Sequence, residues 1–193
     1  MRIGVMGGTF DPIHIGHLIA ASEVHTALQL DSVWFVPAGQ PWQKADRKIS
    51  SPQHRFEMTK LAVAEDSRFE ASDIEIVRDG PTYSIDTVQE IKRMHPDAEI
   101  FWIIGADVAS RMTTWHRWDE FIASVQLVVV NRPDSEQDSL PFDYVAVSMP
   151  SVRISATQLR QRYFAGTSNT YLVPDAVDEY IRAQQLFSSA DGR

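Results

Sequence analysis

A Gly-Gly pair and two histidines lie close together near the start of the chain, in the stretch GGTFDPIHIGH at residues 7–17. Glycine allows a ligand to approach the backbone closely or lets the chain adopt a positive φ. His14 and His17 are predicted to converge on one point, where an apolar run gives way to a helical pattern. Imidazole groups and backbone N–H donors at the start of a helix are typical of an anion site. The stretch therefore predicts a cradle for phosphate groups.

Other interpretations of the histidine pair stay open on the residues alone. The two side chains could be solvated or hydrogen-bonded loop residues without a chemical role. They could also bind a metal, although a third ligand is not evident from the spacing. The dinucleotide fingerprint G-x-G-x-x-G and the P-loop pattern G-x-x-x-x-G-K do not occur in this stretch.

The hydrophobic pattern predicts the elements that position these residues. Apolar runs bounded by turn signals predict strands, and apolar residues at helical spacing predict helices. Strands are predicted at 2–6, 33–37, 69–77, 99–105 and 125–131, and helices at 16–30, 53–65, 84–95, 155–166 and 174–184. This alternation predicts an α/β protein with an open, doubly wound parallel sheet and right-handed crossovers.

In such a sheet, ligands bind at the carboxyl ends of the strands, where helix N-termini present N–H groups. The stretch 7–17 lies at such a point, as a strand, a Gly-Gly turn and a helix that begins near Gly16. Ser155 and Gln158 have the form of a capping box at the start of a late helix. We interpret residues 1–187 as a single domain, 132–141 as a surface loop and 188–193 as a frayed tail.

Composition excludes several classes of function. The formal net charge of −8 argues against nucleic-acid binding, which needs a broad excess of Lys and Arg, but a few local donors can still bind a small anion. The chain has no Cys, which excludes disulfides, thiolate zinc sites and cysteine nucleophiles. No stretch approaches the roughly 20 apolar residues of a membrane span, and the first residues lack the form of a signal peptide. We therefore expect a cytoplasmic protein without a membrane partner.

Two motifs at opposite ends of the chain resemble one superfamily. The string GTFDPIHIGH matches the T-F-D-x-x-H-x-G-H signature of the HIGH-motif nucleotidyltransferases, and RISATQLR at 153–160 resembles their late phosphate-binding motif, I-S-S-T-x-I-R. Further segments resemble the bacterial nicotinate-nucleotide adenylyltransferases: VPAGQPWQK, DGPTYSIDT, IIGADVASRMTTW, VVVNRP and YLVPDAVDEYI. The resemblance covers residues 2–186 and implies a Rossmann-like nucleotidyltransferase fold.

The sequence departs from the family pattern at two places. The loop after the second strand usually reads P-P-H-K, whereas here QPWQK, around Trp42, resembles the actinobacterial branch. Ala156 replaces the usual second serine of the late motif, so a side-chain phosphate contact is not expected at that position.

The resemblance implies a reaction in which the phosphate of nicotinate mononucleotide attacks the α-phosphorus of ATP and releases pyrophosphate. It assigns the catalytic contacts with the ATP phosphates to His14, His17 and Arg160. The implied ATP-binding residues are Gly8, Thr9, Phe10, Lys44 (with Arg47 as a second cation of that loop), Gly105, Asp107 and Ser155. The implied acceptor-binding residues are Thr82, Tyr83, Trp115 and Arg132. Spacing alone leaves open a helix cap for Asp107, core packing for Trp115 and a solvated loop charge for Arg132.

Mg²⁺ is expected to arrive with ATP, bound mainly by phosphate and water, without a dedicated protein metal site. ATP and nicotinate mononucleotide are the expected small-molecule partners, and the oligomeric state stays open, with a homo-oligomer as one option. Two other functions remain: another HIGH-motif transferase with a phosphopantetheine or other phosphate acceptor, and a non-catalytic nucleotide-binding module. The choice between nicotinate and nicotinamide mononucleotide is also open at this point.

Overall fold

The computed structural model describes residues 1–40, 49–131 and 140–188. Within these residues, six strands form one parallel sheet in the order β3-β2-β1-β4-β5-β6. The strands are β1 (Arg2–Gly8), β2 (Ser32–Pro37), β3 (Phe69–Ala71), β4 (Glu99–Gly105), β5 (Gln126–Asn131) and β6 (Val145–Ser148). The strand order reverses at β1, and this is where ligands bind in open α/β sheets. The predicted doubly wound, Rossmann-like sheet is therefore confirmed.

Helices cover both faces of the sheet. They are α1 (Ile15–Leu28), α2 (Pro52–Val63), α3 (Ser84–Met94), α4 (Ala106–Ala109), α5 (Trp118–Ile122), α6 (Ala156–Phe164) and α7 (Asp175–Ala183), with a 3₁₀ turn at Met112–Thr114. One apolar core includes Phe35, Val24, Met58, Leu159 and Val177 and joins α1, α2, α6 and α7 to the sheet. On the opposite face, a second core joins α3 and α5 to Trp34 and Trp102. None of the helices in the described ranges has the length and apolar character needed to cross a bilayer.

Two local predictions are wrong. The strand predicted at 69–77 ends at Ala71, because the chain then turns and the N–H groups of Ile76 and Val77 both donate to the Asp73 carbonyl. The predicted Gly-Gly turn at 7–8 is instead the end of β1, where Gly7 and Gly8 lie in register with Val36 and Pro37. The hydrophobic pattern did not predict β6, α4 or α5, which are all short.

Candidate active site

His14 and His17 lie at the N-terminus of α1, beyond the carboxyl end of β1. His14 is the N-cap residue, and its backbone N–H donates to Nδ1 of His17 over 3.2 Å. The two imidazole rings stack with their centroids 3.7 Å apart. Because His17 Nδ1 accepts a hydrogen bond, the proton of the neutral ring is on Nε2, which can donate to an anion. The pair therefore converges as the motif predicted.

Two glycines make room for the aromatic rings of this segment. A Cβ atom on Gly16 would lie 3.1 Å from Nδ1 of His14, and one on Gly8 would lie 2.9 Å from the Phe10 ring. Phe10 has a φ of 49° and a buried side chain, and its ring meets the edge of His17 at 5.0 Å. The Phe10 side chain therefore packs against His17 from the core, and Gly8 and Thr9 connect β1 to Phe10.

The two ends of the chain meet at this point. Nη1 of Arg160 on α6 donates to the carbonyl oxygen of Asp11 over 2.8 Å, although the residues are 149 positions apart. Nε of Arg160 is buried and has no hydrogen-bond partner. Ser155 caps α6, and its Oγ accepts from the backbone N–H of Gln158 at 3.3 Å, which confirms this half of the predicted capping box. The guanidinium group of Arg160 thus lies beside the histidine segment.

The predicted acceptor residues lie at the start of α3 and before α5. The Tyr83 ring stacks on His116 with a centroid distance of 4.2 Å, and Trp115 packs against Phe121 at 5.5 Å. Nε1 of Trp115 is buried and has no hydrogen-bond partner, and the same is true of Nε1 of the core residue Trp34. Thr82 is buried, and its N–H lies 3.5 Å from the Gln40 carbonyl.

Gly105 is the last residue of β4, the strand beside β1, and Asp107 follows it in α4, so both lie at the carboxyl edge of the sheet, as the histidine segment does. Gly105 is the N-cap of α4, and a Cβ atom there would lie 2.6 Å from Oδ1 of Asp107. The exposed Asp107 carboxylate therefore folds back over the glycine backbone and does not cap the helix.

Lys44 and Arg132 lie outside the described residues, as do Trp42 and Arg47 and most of the predicted surface loop. In the described part of the chain there is no group of three or more His, Asp or Glu side chains that could hold a metal ion.

Sequence reasoning missed one buried cation of the site, Arg55. It lies on α2, is fully buried and donates to three backbone carbonyls, those of Thr9, Gly39 and Ser50. Burial lowers the pKa of its guanidinium group, and the Asp11 and Glu75 carboxylates oppose this effect. The available signal was its spacing: Arg55 falls on the same helix face as the apolar core residue Met58.

Comparisons with known proteins place the chain among nucleotide-metabolising enzymes. Residues 5–162 match the family model described as cytidylyltransferase-like. The chain is 47% identical over 192 residues to a probable nicotinate-nucleotide adenylyltransferase of Clavibacter michiganensis subsp. michiganensis, covering 98% of this chain and 95% of the relative. A protein of the same description from Saccharopolyspora erythraea is 45% identical over 193 residues, covering 98% and 91%.

Among solved structures, the Plasmodium falciparum nicotinic acid mononucleotide adenylyltransferase complexed with NaAD has a TM-score of 0.81. The alignment covers 96% of this chain and 97% of that one at 18% sequence identity, so the likeness is one of fold.

Proposed function

The chain belongs to the nicotinate-nucleotide adenylyltransferase family of cytidylyltransferase-like proteins, and we propose that it transfers the adenylyl group of ATP to nicotinate mononucleotide. A phosphate oxygen of the mononucleotide attacks the α-phosphorus of ATP, the bond from that phosphorus to the bridging oxygen breaks, and pyrophosphate leaves. The products are nicotinate adenine dinucleotide and pyrophosphate, and the reaction is a step of NAD biosynthesis.

The observation that carries this proposal is the hydrogen bond from Arg160 to the Asp11 carbonyl beside the stacked pair His14 and His17. It brings a guanidinium group and two imidazoles from opposite ends of the chain to one edge of the sheet. A triphosphate needs such a set, because charge-assisted hydrogen bonds to phosphate oxygens are strong and directional. Arg160 and the histidines would hold the β- and γ-phosphates, and Ser155 would add a donor.

The acceptor would occupy the neighbouring position between Tyr83 and Trp115. The Trp115 ring would stack on the pyridine ring, and backbone N–H groups at Thr82 and Tyr83 would meet the nicotinate carboxylate. The Trp115 side chain is only partly buried, which leaves part of the ring accessible to such a ligand. Arg132 would add a cation to the acceptor, and Lys44 would add one to the ATP phosphates.

The reaction depends on the positioning of the two substrates more than on acid–base catalysis. The second pKa of a phosphate monoester is about 6, so the acceptor is largely the nucleophile already at neutral pH. The site residues then lower the barrier by aligning the two phosphates and by stabilising the charge that develops on the leaving pyrophosphate. No covalent enzyme intermediate is required.

Mg²⁺ would enter with ATP and neutralise phosphate charge. Mg²⁺ keeps several waters and is bound chiefly by substrate phosphates, so the phosphates of ATP would carry it into the site. A cytoplasmic location and a single domain over 1–187 belong to the same proposal.

Pyrophosphate release tests the function directly. The purified chain is mixed with ATP, Mg²⁺ and one acceptor at a time: nicotinate mononucleotide, nicotinamide mononucleotide, phosphopantetheine or glycerol phosphate. We expect the highest kcat/KM with nicotinate mononucleotide. A higher value with another acceptor would reassign the substrate, and no release with any acceptor would indicate a non-catalytic nucleotide-binding module.

A further inference from the structure

We infer that Arg55 is a positioning residue that fixes the ATP-binding loop (residues 9–13) against the acceptor-binding loop (residues 75–83), through Gly39 and Glu75. This inference rests on the proposed function, since it concerns the alignment of the two substrates of that reaction. The residues involved form a continuous buried path from the backbone of Thr9 to the first turn of α3.

The first half of the path is the set of hydrogen bonds made by Arg55. Its Nη1 donates to the carbonyl of Thr9 at 3.0 Å, its Nη2 to that of Gly39 at 2.9 Å and its Nε to that of Ser50 at 3.0 Å. These carbonyls belong to the segment after β1, the segment after β2 and the segment just before α2. One rigid, planar group thus sets the distances among three backbone segments.

The second half begins at Gly39, whose backbone lies directly against that of Glu75. A Cβ atom on Gly39 would lie 2.1 Å from the Glu75 carbonyl oxygen and 3.0 Å from Cγ2 of Thr82. Only glycine allows this approach, because any side chain would push the two loops apart. The acceptor-binding loop is therefore in contact with the residue that Arg55 holds.

Glu75 then connects this contact to α3. Its carboxylate is buried and accepts a hydrogen bond from Oγ1 of Thr87 at 2.7 Å. Oγ1 of Thr87 in turn accepts from Nη1 of Arg78 at 3.3 Å. Thr87 lies one turn after Tyr83, so the carboxylate holds the start of α3 that carries the proposed acceptor contacts.

Arg55 and Glu75 are buried and are not among the residues proposed to bind ATP or the acceptor, which separates them from the catalytic set. Each half-site keeps its own contacts without the path: His14, His17 and Arg160 for ATP, and Trp115 with Tyr83 for the acceptor. The path fixes their relative distance, and a shift of about 1 Å in the placement of reacting groups can cost about a hundredfold in rate.

The test compares Arg55→Lys and Glu75→Gln with Val63→Ala, a control in the apolar core of the same helix α2. Lys keeps the charge of Arg55 but cannot reach three carbonyls at once. We expect kcat at saturating substrates to fall by at least about tenfold in Arg55→Lys, with a smaller fall in Glu75→Gln. The Kd values of ATP and of nicotinate mononucleotide, measured separately by calorimetry, should change less than about threefold. Val63→Ala should lower the Tm and leave kcat per folded molecule unchanged.

Two outcomes would overturn the inference while the wild type is active. If both path variants lower the Tm like the control but keep the wild-type kcat, the path is merely structural. If either variant weakens the binding of one substrate alone and keeps the wild-type kcat, the replaced residue supports only the half-site of that substrate. An inactive wild-type chain would refute the proposed function itself, and this inference with it.

Discussion

At the residue scale, the hydrogen-bonding state of His17 decides what the motif can do. Its Nδ1 accepts the N–H of His14, so the ring is neutral with its proton on Nε2. A neutral donor at a helix N-terminus avoids the unfavourable placement of a cation there. It can still stabilise charge as it develops on a phosphate oxygen.

We expect His17→Ala to lower kcat by about 10²–10³, as for a lost transition-state donor. The fold should persist, because the side chain is only partly buried. Steady-state kinetics with circular dichroism as a fold check would measure this. His25→Ala, in the last turn of the same helix, is the matched control and should keep wild-type turnover. A folded His17→Ala variant within a few-fold of the wild type would refute the assigned role.

Trp115 gives a second prediction at this scale. Loss of its ring in Trp115→Ala should raise the KM for nicotinate mononucleotide more than that for ATP, because stacking contributes about 0.5–1.5 kcal/mol beyond burial. Trp115→Phe should restore much of the difference. Equal increases for both substrates would point instead to disturbed packing on Phe121.

The proposed site residues were named from short motifs, whose spacing is a local property of the chain. Arg55, Glu75 and His116 were not named, because their partners come from distant segments and no motif marks them. Arg55 illustrates the limit: a charged residue on an apolar helix face signals a buried cation, but not that it binds the carbonyls of Thr9 and Gly39.

At the element scale, Ser155 stabilises the N-terminus of α6 as its cap and is also part of the proposed phosphate site. Replacing the cap in Ser155→Ala should cost about 0.5–2 kcal/mol of stability. Ser155→Asp should keep the cap, since Asp is as good an N-cap as Ser, but should place a negative charge beside the ATP phosphates.

We therefore expect Ser155→Asp to keep the wild-type Tm and to raise the KM for ATP. Ser155→Asn is the matched control, because Asn caps equally well and carries no charge. Thermal unfolding and ATP kinetics on the three variants would measure this. A wild-type KM for ATP in Ser155→Asp would place the phosphates away from α6.

The elements themselves were largely predictable, because long apolar runs and cap residues are strong local signals. Ser51 caps α2, with its Oγ accepting from the N–H of His54, and Pro52 follows it, a Ser-Pro step that is typical of a helix start. The strand predicted at 69–77 was too long, because Ile74 and Ile76 alternate with polar residues as they would in a strand. In the structure Glu75 turns inward to Thr87 instead, a contact that no local pattern reveals.

At the scale of the whole molecule, the buried Glu75 carboxylate links stability to pH. Burial raises its pKa, while hydrogen bonding and the nearby Arg78 charge oppose the rise. A group whose pKa is raised in the folded state adds stability at low pH, and this contribution is lost as the pH rises through that pKa.

We therefore expect the wild type to lose stability relative to Glu75→Gln as the pH increases from about 4 to 8, because glutamine does not titrate. Denaturant unfolding of both proteins at each pH would measure the difference in their free energies of unfolding. The contributions of titratable groups that both proteins share cancel in this difference. A difference that stays constant with pH, or that moves in favour of the wild type, would contradict the assigned direction.

Pyrophosphate binding tests most directly whether the two ends of the chain build one polyanion site. Calorimetry would compare the wild type with His17→Ala and Arg160→Ala, and with Arg93→Ala as an exposed-arginine control on α3. Charged hydrogen bonds contribute about 1.5–3 kcal/mol each, so we predict that both site variants bind pyrophosphate at least about tenfold more weakly while the control binds normally. Unchanged binding in either site variant would contradict a shared site.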